Sequence, residues 1–374
     1  MHKILLIFGT RPEAIKLCPV IRGLREHPNK FDVKVCVTAQ HREMLDQVLE
    51  AFQVRPDHDL DLMLPGQTLF QSTSGILAGL EPVLRAESPA MVIVQGDTTT
   101  TLCGALAAFY SGIPVAHVEA GLRTYDMRQP FPEEMNRVLA SHLTALHFAA
   151  TELAAQNLRD EGVAADTIHV TGNTGIDAVL FVRDALEQGT LRGRAWPELD
   201  ASKKLIVVTA HRRESFGDGF ERICRALARI ADRGDVQLVY PVHPNPNVQD
   251  PVQRYLASHP NVNLIAPLSY VPFVDLMRRA YLLITDSGGI QEEGPSLGKP
   301  ILVLREKTER PEAVTAGTVK VVGTDTDRIV GEAAILLDDR QAYDQMSRVH
   351  NPYGDGQASA RIAGLIHSFL TANS

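Results

Sequence analysis

The sequence is poor in cysteine. Its four residues, Cys18, Cys36, Cys103 and Cys224, lie far apart and form no CxxC pair. That spacing excludes a disulfide frame and a cysteine-based zinc site and leaves buried, reduced thiols. No apolar run approaches the ~20 residues that span a bilayer. Met1-His2-Lys3 enters only a short, strand-like apolar run. A signal peptide needs a longer one and a small-residue cleavage site, so a cytoplasmic protein without membrane contact is expected. An excess of positive charge is also missing. The formal charge of −8 argues against non-specific nucleic-acid binding, but an arginine cluster can still hold a small anion on an acidic protein. No HExxH, paired cysteines or aspartate-rich loop signals a metal site, and none is expected.

What is present is an ordinary globular composition, 44% hydrophobic and 22% charged, over 374 residues. That length exceeds one core and points to two domains. Short β-rich runs alternate with amphipathic stretches such as 41–52 and 219–231. Strands are predicted at 3–8, 32–38, 91–95, 114–118 and 145–149. A second series follows at 204–209, 236–241, 262–265, 281–285 and 300–304. Such alternation is the signature of βαβ units and parallel sheets, here two doubly wound α/β domains. The natural join is the segment 172–197, which opens with the turn Gly172-Asn173-Thr174-Gly175.

Ligands of open α/β sheets bind beyond the carboxyl ends of the strands. The first strand leads into Phe8-Gly9-Thr10-Arg11-Pro12-Glu13-Ala14-Ile15-Lys16, which lacks the second and third glycines of a dinucleotide loop. It reads as a helix start: Thr10 caps, Pro12 fits an early helical position, and Glu13 completes a capping box. Its first-turn N–H groups favour an anion, with Arg11 and Lys16 adding charge; the bland alternative is a capped helix with two solvated cations. Ser287-Gly288-Gly289 follows the strand at 281–285 and lets a phosphate approach the backbone, while Glu293 offers a carboxylate to a ribose diol. The alternative there is a structural glycine turn.

Asp97 and Glu119 sit just beyond strand ends, and Glu133 and Glu134 follow Pro132. Several carboxylates together suit proton transfer, with one acting as base and another as acid. Asp97 reads equally well as a helix N-cap, and the glutamate pair as the acidic first turn of a helix. His211 follows the strand at 204–209, where it can titrate or bond a phosphate, though a lone histidine usually does neither. Arg310 lies in a loop after a strand and suits bidentate contact with a diphosphate.

These stretches together resemble the non-hydrolysing UDP-N-acetylglucosamine 2-epimerases of bacteria, enterobacterial ones in particular. The matching signatures are the segment 8–16, Gly96-Asp97-Thr98-Thr99-Thr100, His117-Val118-Glu119-Ala120-Gly121-Leu122-Arg123 and Pro132-Glu133-Glu134-Met135-Asn136-Arg137. His211-Arg212-Arg213-Glu214, the segment 286–293, Glu309-Arg310-Pro311-Glu312 and Asn351-Pro352-Tyr353-Gly354-Asp355-Gly356 complete them.

The resemblance implies a glycosyltransferase-B-like fold: two Rossmann-like domains facing across a cleft, residues 1–171 joined by a C-terminal helix at 355–374, and a UDP-binding domain at 172–354. It implies a homodimer that needs no cofactor. Ser287, Gly288, Gly289 and Arg310 would hold the diphosphate, Glu293 the ribose, and Phe273 with the backbone near Leu268 the uracil. Enterobacterial members carry a polar residue at Leu268, a change that only a backbone contact survives. Arg11, Lys16, Asp97, Glu119, Glu133 and His211 would surround the sugar and its leaving bond. Some members are regulated by UDP-N-acetylglucosamine bound beside the active site, and Gln40, Glu43, Arg212 and His243 fall in the corresponding region.

The implied reaction inverts C2 of UDP-N-acetylglucosamine to give UDP-N-acetylmannosamine, which feeds surface polysaccharides. That C–H bond is not acidic, and no nicotinamide signature is present to oxidise the carbon. Elimination is the workable route: UDP leaves C1 as a base takes the C2 proton, and UDP then returns to the glucal with C2 inverted. Such a route needs cations and N–H groups on the departing diphosphate and at least two proton-transfer groups. A hydrolysing 2-epimerase releasing N-acetylmannosamine, a glycosyltransferase of the same fold and a nucleotide-sugar sensor are the alternative readings. The sensor would have no need of Asp97, Glu119 and Glu133.

Overall fold

The computed structural model describes residues 1–38, 42–62 and 66–373, the side chains of residues 42 and 43 excepted. The chain divides into two compact units, Met1–Ala178 with Gly354–Ser374, and Val179–Tyr353.

In the first unit β1 (His2–Phe8), α1 (Arg11–Arg25), β2 (Phe31–Val37), α2 (Arg42–Ala51) and β3 (His58–Asp59) come first. There follow α3 (Leu69–Glu87), β4 (Met91–Gln95), α4 (Thr99–Tyr110), β5 (Val115–Ala120), α5 (Glu133–His142), β6 (Leu146–Ala149), α6 (Glu152–Asp160) and β7 (Ile168–Val170). The seven strands are parallel, in the order β3-β2-β1-β4-β5-β6-β7. Ile4 through Phe8 are fully buried. An uninterrupted apolar run is what a strand covered on both faces requires. The order reverses between β1 and β4, so a crevice opens at their carboxyl ends, where Gly9 and Gly96 lie.

The helix α7 (Thr174–Glu187) carries the chain from one unit into the other. The second unit holds β8 (Lys204–Thr209), α8 (Asp218–Ala231), β9 (Val236–Pro241), α9 (Pro246–Leu256), β10 (Val262–Ile265), α10 (Tyr270–Arg279) and β11 (Leu282–Thr285). The short α11 (Gly288–Glu293), β12 (Ile301–Val303), α12 (Pro311–Ala316), β13 (Val319–Val321), α13 (Thr326–Asp338) and α14 (Arg340–Ser347) complete it. Its parallel order is β10-β9-β8-β11-β12-β13, with the reversal between β8 and β11. In α8, Phe220, Ile223, Cys224, Leu227, Ile230 and Ala231 recur at helical spacing and are buried, packing with Ile206, Val208 and Ile284 of the strands in one core. The last helix, α15 (Ala358–Ala372), belongs to the first unit and packs on α1.

Three differences from the sequence expectations stand out. The two- and three-residue strands β3, β7 and β13 carry no predicted counterpart. The fourth predicted strand, 114–118, extends to Ala120, so Glu119 lies inside β5 and not beyond it. Asp97 is not an N-cap: Thr98 caps α4, its hydroxyl accepting from the Thr101 amide.

Candidate active site

The β1–α1 turn is built around a buried carboxylate. Glu13 closes the expected capping box with Thr10, and its Oε2 accepts from the amides of Gly9 at 3.1 Å and Thr10 at 2.7 Å. Oε1 accepts from the Thr98 hydroxyl at 2.8 Å, which ties α1 to the start of α4 across the switch point. Burial raises the pKa of this carboxyl while the hydrogen bonds oppose the rise. Glu13 is thus structural. It holds Arg11 at the first position of α1 and Lys16 one turn further on.

Lys16 reaches the carboxylate of Glu119. Its ammonium bonds Oε1, and the Gln95 amide bonds Oε2. Glu119 has φ +63°, and the β5 register shifts between Val118 and Ala120. A non-glycine residue in the left-handed region at a bulge is held there by its surroundings, and re-aiming a side chain is what bulges do. Here the surroundings are Lys16 and Gln95.

Asp97 stands beside this group. Its Oδ2 lies 2.8 Å from Arg137 Nη2, and its backbone carbonyl accepts from Asn136 Nδ2 at 2.8 Å. Burial pushes the Asp97 carboxyl up to about 6; Arg137 and Lys16 pull it down, while Glu119 and Glu133 add to the rise. Glu133, half-buried at the start of α5, therefore lies close enough for its charge to be felt. Its neighbour Glu134 does other work: buried, it accepts from the amides of Thr124 and Tyr125 and fixes the loop after β5. Behind them, burial holds the His117 imidazole neutral, lowered to about 3, with Nε2 2.7 Å from the Gly96 carbonyl.

In the second unit the switch point is framed by His211 after β8 and Asp286 after β11. Asp286 Oδ2 accepts from the amides of His211 at 2.6 Å and Arg212 at 2.7 Å. The His211 ring stacks on His243, centroids 5.5 Å apart and 9° between planes. Burial lowers the His211 pKa, with Asp286 opposing. The next turn is Ser287-Gly288-Gly289. A Cβ on Gly288 would stand 3.6 Å from Arg310 Nη2, so that guanidinium lies against the turn. Arg310 is paired with the buried Glu292. A hydrogen-bond chain links turn and loop: Gln291 Nε2 donates to the Ser287 carbonyl at 3.1 Å, Thr308 Oγ1 to Gln291 Oε1 at 2.6 Å, and the Arg310 amide to Thr308 Oγ1 at 3.1 Å. Glu293 ends α11, and its charge bears on the buried Tyr270 phenol. Leu268 and Phe273, both half-buried, flank the start of α10.

The first unit thus brings Arg11, Lys16, Asp97, Glu119 and Glu133 to one switch point. The second gathers His211, Arg212 and His243 at its own, with Ser287, Gly288, Gly289, Glu293 and Arg310 on the adjoining turn and loop. Gln40 and the Glu43 side chain lie outside the described residues. Sequence reasoning missed the partners that set the geometry, namely Gln95, Arg137, Asp286 and Glu292. Arg137, Asp286 and Glu292 lie inside motifs already singled out and Gln95 directly precedes one, and that placement was the available signal.

Two doubly wound parallel-sheet units with carboxylates, cations and a histidine at their switch points define an α/β enzyme of the glycosyltransferase-B-like class. The chain belongs to the UDP-N-acetylglucosamine 2-epimerase family, whose model matches residues 22–367. It is 58% identical over 372 residues to the UDP-N-acetylglucosamine 2-epimerase of Salmonella typhimurium, covering 98% of this chain and 99% of that one. To the enzyme of that name from Escherichia coli O157:H7 it is 60% identical over 365 residues, 96% of this chain and 97% of the other. Among solved structures, the UDP-GlcNAc 2-epimerase of Neisseria meningitidis bound to UDP-GlcNAc superposes with a TM-score of 0.89 at 48% identity, covering 98% of this chain and all of that one.

Proposed function

We propose that the protein is a non-hydrolysing epimerase that interconverts UDP-N-acetylglucosamine and UDP-N-acetylmannosamine by elimination and re-addition of UDP. One observation carries the reading: Asp97 is pushed up to about 6 beside Glu119, which is tied to Lys16 and Gln95. Two adjacent carboxyl groups in unlike environments are what a base and an acid acting in turn require.

A carboxylate removes the C2 proton as the C1–O bond breaks, and the electron pair of the C–H bond becomes the C1–C2 double bond of the glucal. UDP departs with the bonding pair. In the return step UDP oxygen re-forms the C1 bond, and a proton reaches C2 from the opposite face. Asp97, Glu119 and Glu133 share the proton transfers, while Arg11, Lys16 and His211 meet the charge developing on the leaving phosphate. Ser287, Gly288, Gly289 and Arg310 hold the diphosphate, Glu293 the ribose, and Phe273 with the backbone at Leu268 the uracil. Arg212 and His243, beside His211, belong to a neighbouring regulatory subsite. No step calls for an oxidant or a metal.

Incubation with UDP-N-acetylglucosamine alone in heavy water tests the proposal. NMR should show a second UDP-sugar of the manno configuration with deuterium at C2. Free N-acetylmannosamine as the first product would favour the hydrolysing reading, and an epimer lacking deuterium at C2 would sink the elimination route.

The working form is proposed to be a cytoplasmic homodimer. Four unpaired cysteines accord with a reducing compartment. Phe70 on α3 and Tyr110 and Phe109 on α4 are 89%, 75% and 58% exposed, large aromatic side chains that a second copy would cover. Sedimentation velocity should give twice the 41.0 kDa chain mass; a concentration-independent monomer contradicts the dimer.

A further inference from the structure

The carboxylate of Asp286 is 1% exposed, yet only half of it has an evident task. Oδ2 accepts both amides of the β8 turn, from His211 and Arg212. Oδ1 finds no hydrogen-bond partner among the described residues and stands 3.4 Å from His211 Nδ1. An asparagine would fix the same turn through its single oxygen. A buried acceptor left without a bond is costly, so the second oxygen calls for a separate explanation.

We propose that Asp286 is the positioning residue of His211, its Oδ1 holding the imidazole proton on Nδ1 and leaving Nε2 as the basic nitrogen. The inference rests on the reading that His211 serves the reaction. A carboxylate beside one ring nitrogen fixes the tautomer and stabilises the imidazolium when the other nitrogen takes a proton. Each partner's place follows from the sheet. Strands β8 and β11 are neighbours, with Thr209 opposite Thr285, so the residues just after them meet at the switch point. The Thr209 and Thr285 hydroxyls, 2.6 Å apart, tie these strand ends together. The far face of the ring is set by His243, whose own Nδ1 accepts from the Asn245 amide at 3.1 Å. That bond orients the His243 ring, which stacks on His211. The charged and titratable groups bearing on His211 are therefore Asp286, which favours its cation, and His243 and Arg212, which oppose it.

Nitrogen-15 NMR of the histidine-labelled protein at pH 7.5 tests the proposal, with the His211 signal assigned by its loss in His211→Ala. The expected result is a neutral ring carrying its proton on Nδ1. In Asp286→Asn the turn keeps an acceptor, but an amide NH2 faces Nδ1, and the proton moves to Nε2. That variant should lose about 100-fold or more in kcat with KM changed by less than about 3-fold. In a His211→Ala background the same substitution should cost less than about 3-fold. A structural role alone would cost the same in both backgrounds, and that equality would overturn the proposal, as would a wild-type proton on Nε2. The wild-type spectrum decides the dyad even if a variant fails to fold. Near-normal turnover of His211→Ala, with Nδ1–H still observed, would leave the dyad standing and remove His211 from the reaction.

Discussion

Asp97 shows how one residue can be fitted to chemistry against the interests of stability. Its carboxyl is raised from the ordinary 3.8 to about 6, so the folded protein binds this proton more tightly than the unfolded chain does. The sign follows: the stabilisation due to that proton is fully present below about pH 4 and is lost as the pH rises through about 6. At pH 7.5 the fold therefore carries an ionised, poorly solvated carboxylate, offset in part by Arg137 at 2.8 Å. Asp97→Asn removes the ionisation and keeps an acceptor for Arg137. Its melting temperature relative to wild type should rise between pH 5 and pH 7.5, while turnover falls by about 10²-fold or more. In the wild type, kcat/KM should drop as the pH falls through about 6, because the proposed base becomes protonated. A thermal-shift series across that range, run beside initial rates, checks both halves. A melting difference flat with pH contradicts the linkage, and near-normal turnover of Asp97→Asn takes Asp97 out of the proton transfers.

At the scale of elements, the first turn explains why a strand–glycine–helix unit dispenses with the other loop glycines. A Cβ on Gly9 would lie 2.1 Å from Thr38 Oγ1 and 2.8 Å from Thr100 Oγ1, so this glycine serves the packing of β1 against the ends of β2 and α4. The amides of Gly9 and Thr10 are taken by Glu13 Oε2, and the turn offers the side chains of Arg11 and Lys16. The capping box was legible because Thr10 and Glu13 are three residues apart and their chemistry is local. The second bond of Glu13, to Thr98, was not, because it depends on two strands becoming neighbours. The same division runs through the fold. Strands buried on both faces, such as Ile4–Phe8 or Met91–Gln95, announce themselves as apolar runs. The missed strands β3, β7 and β13 are sheet edges carrying His58-Asp59, His169 and Lys320, where polar residues are tolerated and the apolar signal fades. Glu119 was placed beyond its strand because a bulge is invisible to periodicity. Partners such as Gln95 for Glu119, 24 residues away, or Asp286 for His211, 75 away, exist only once each sheet is assembled.

For the whole molecule, the path of the chain makes the first unit depend on both of its ends. The chain leaves that unit within α7 and returns at Gly354 to add α15. Two kinds of contact bind the returning helix. Ile362, Ala363, Ile366 and Leu370 are buried where α15 packs on α1, and the Asp177 carboxylate accepts from the amides of Ala358 at 3.3 Å and Ser359 at 2.8 Å, capping the helix start. Asp177 is itself buried in α7, so the helix that leaves the unit anchors the one that returns. The hydrophobic contact should dominate. Truncating a buried isoleucine costs roughly 2–5 kcal/mol, against ~1 kcal/mol for a lost cap. Ile366→Ala should therefore destabilise the protein more than Asp177→Ala, and the two should add to less than their sum because they act on one helix. Since Ile366 belongs to the first unit alone, calorimetry of Ile366→Ala should lower one part of the transition if the units melt separately, or the whole of it if they melt as one. An unshifted transition would show that α15 is dispensable to the unit it completes. A cap mutant less stable than the core mutant would show that the amides of Ala358 and Ser359, and not the apolar face, hold the chain's return.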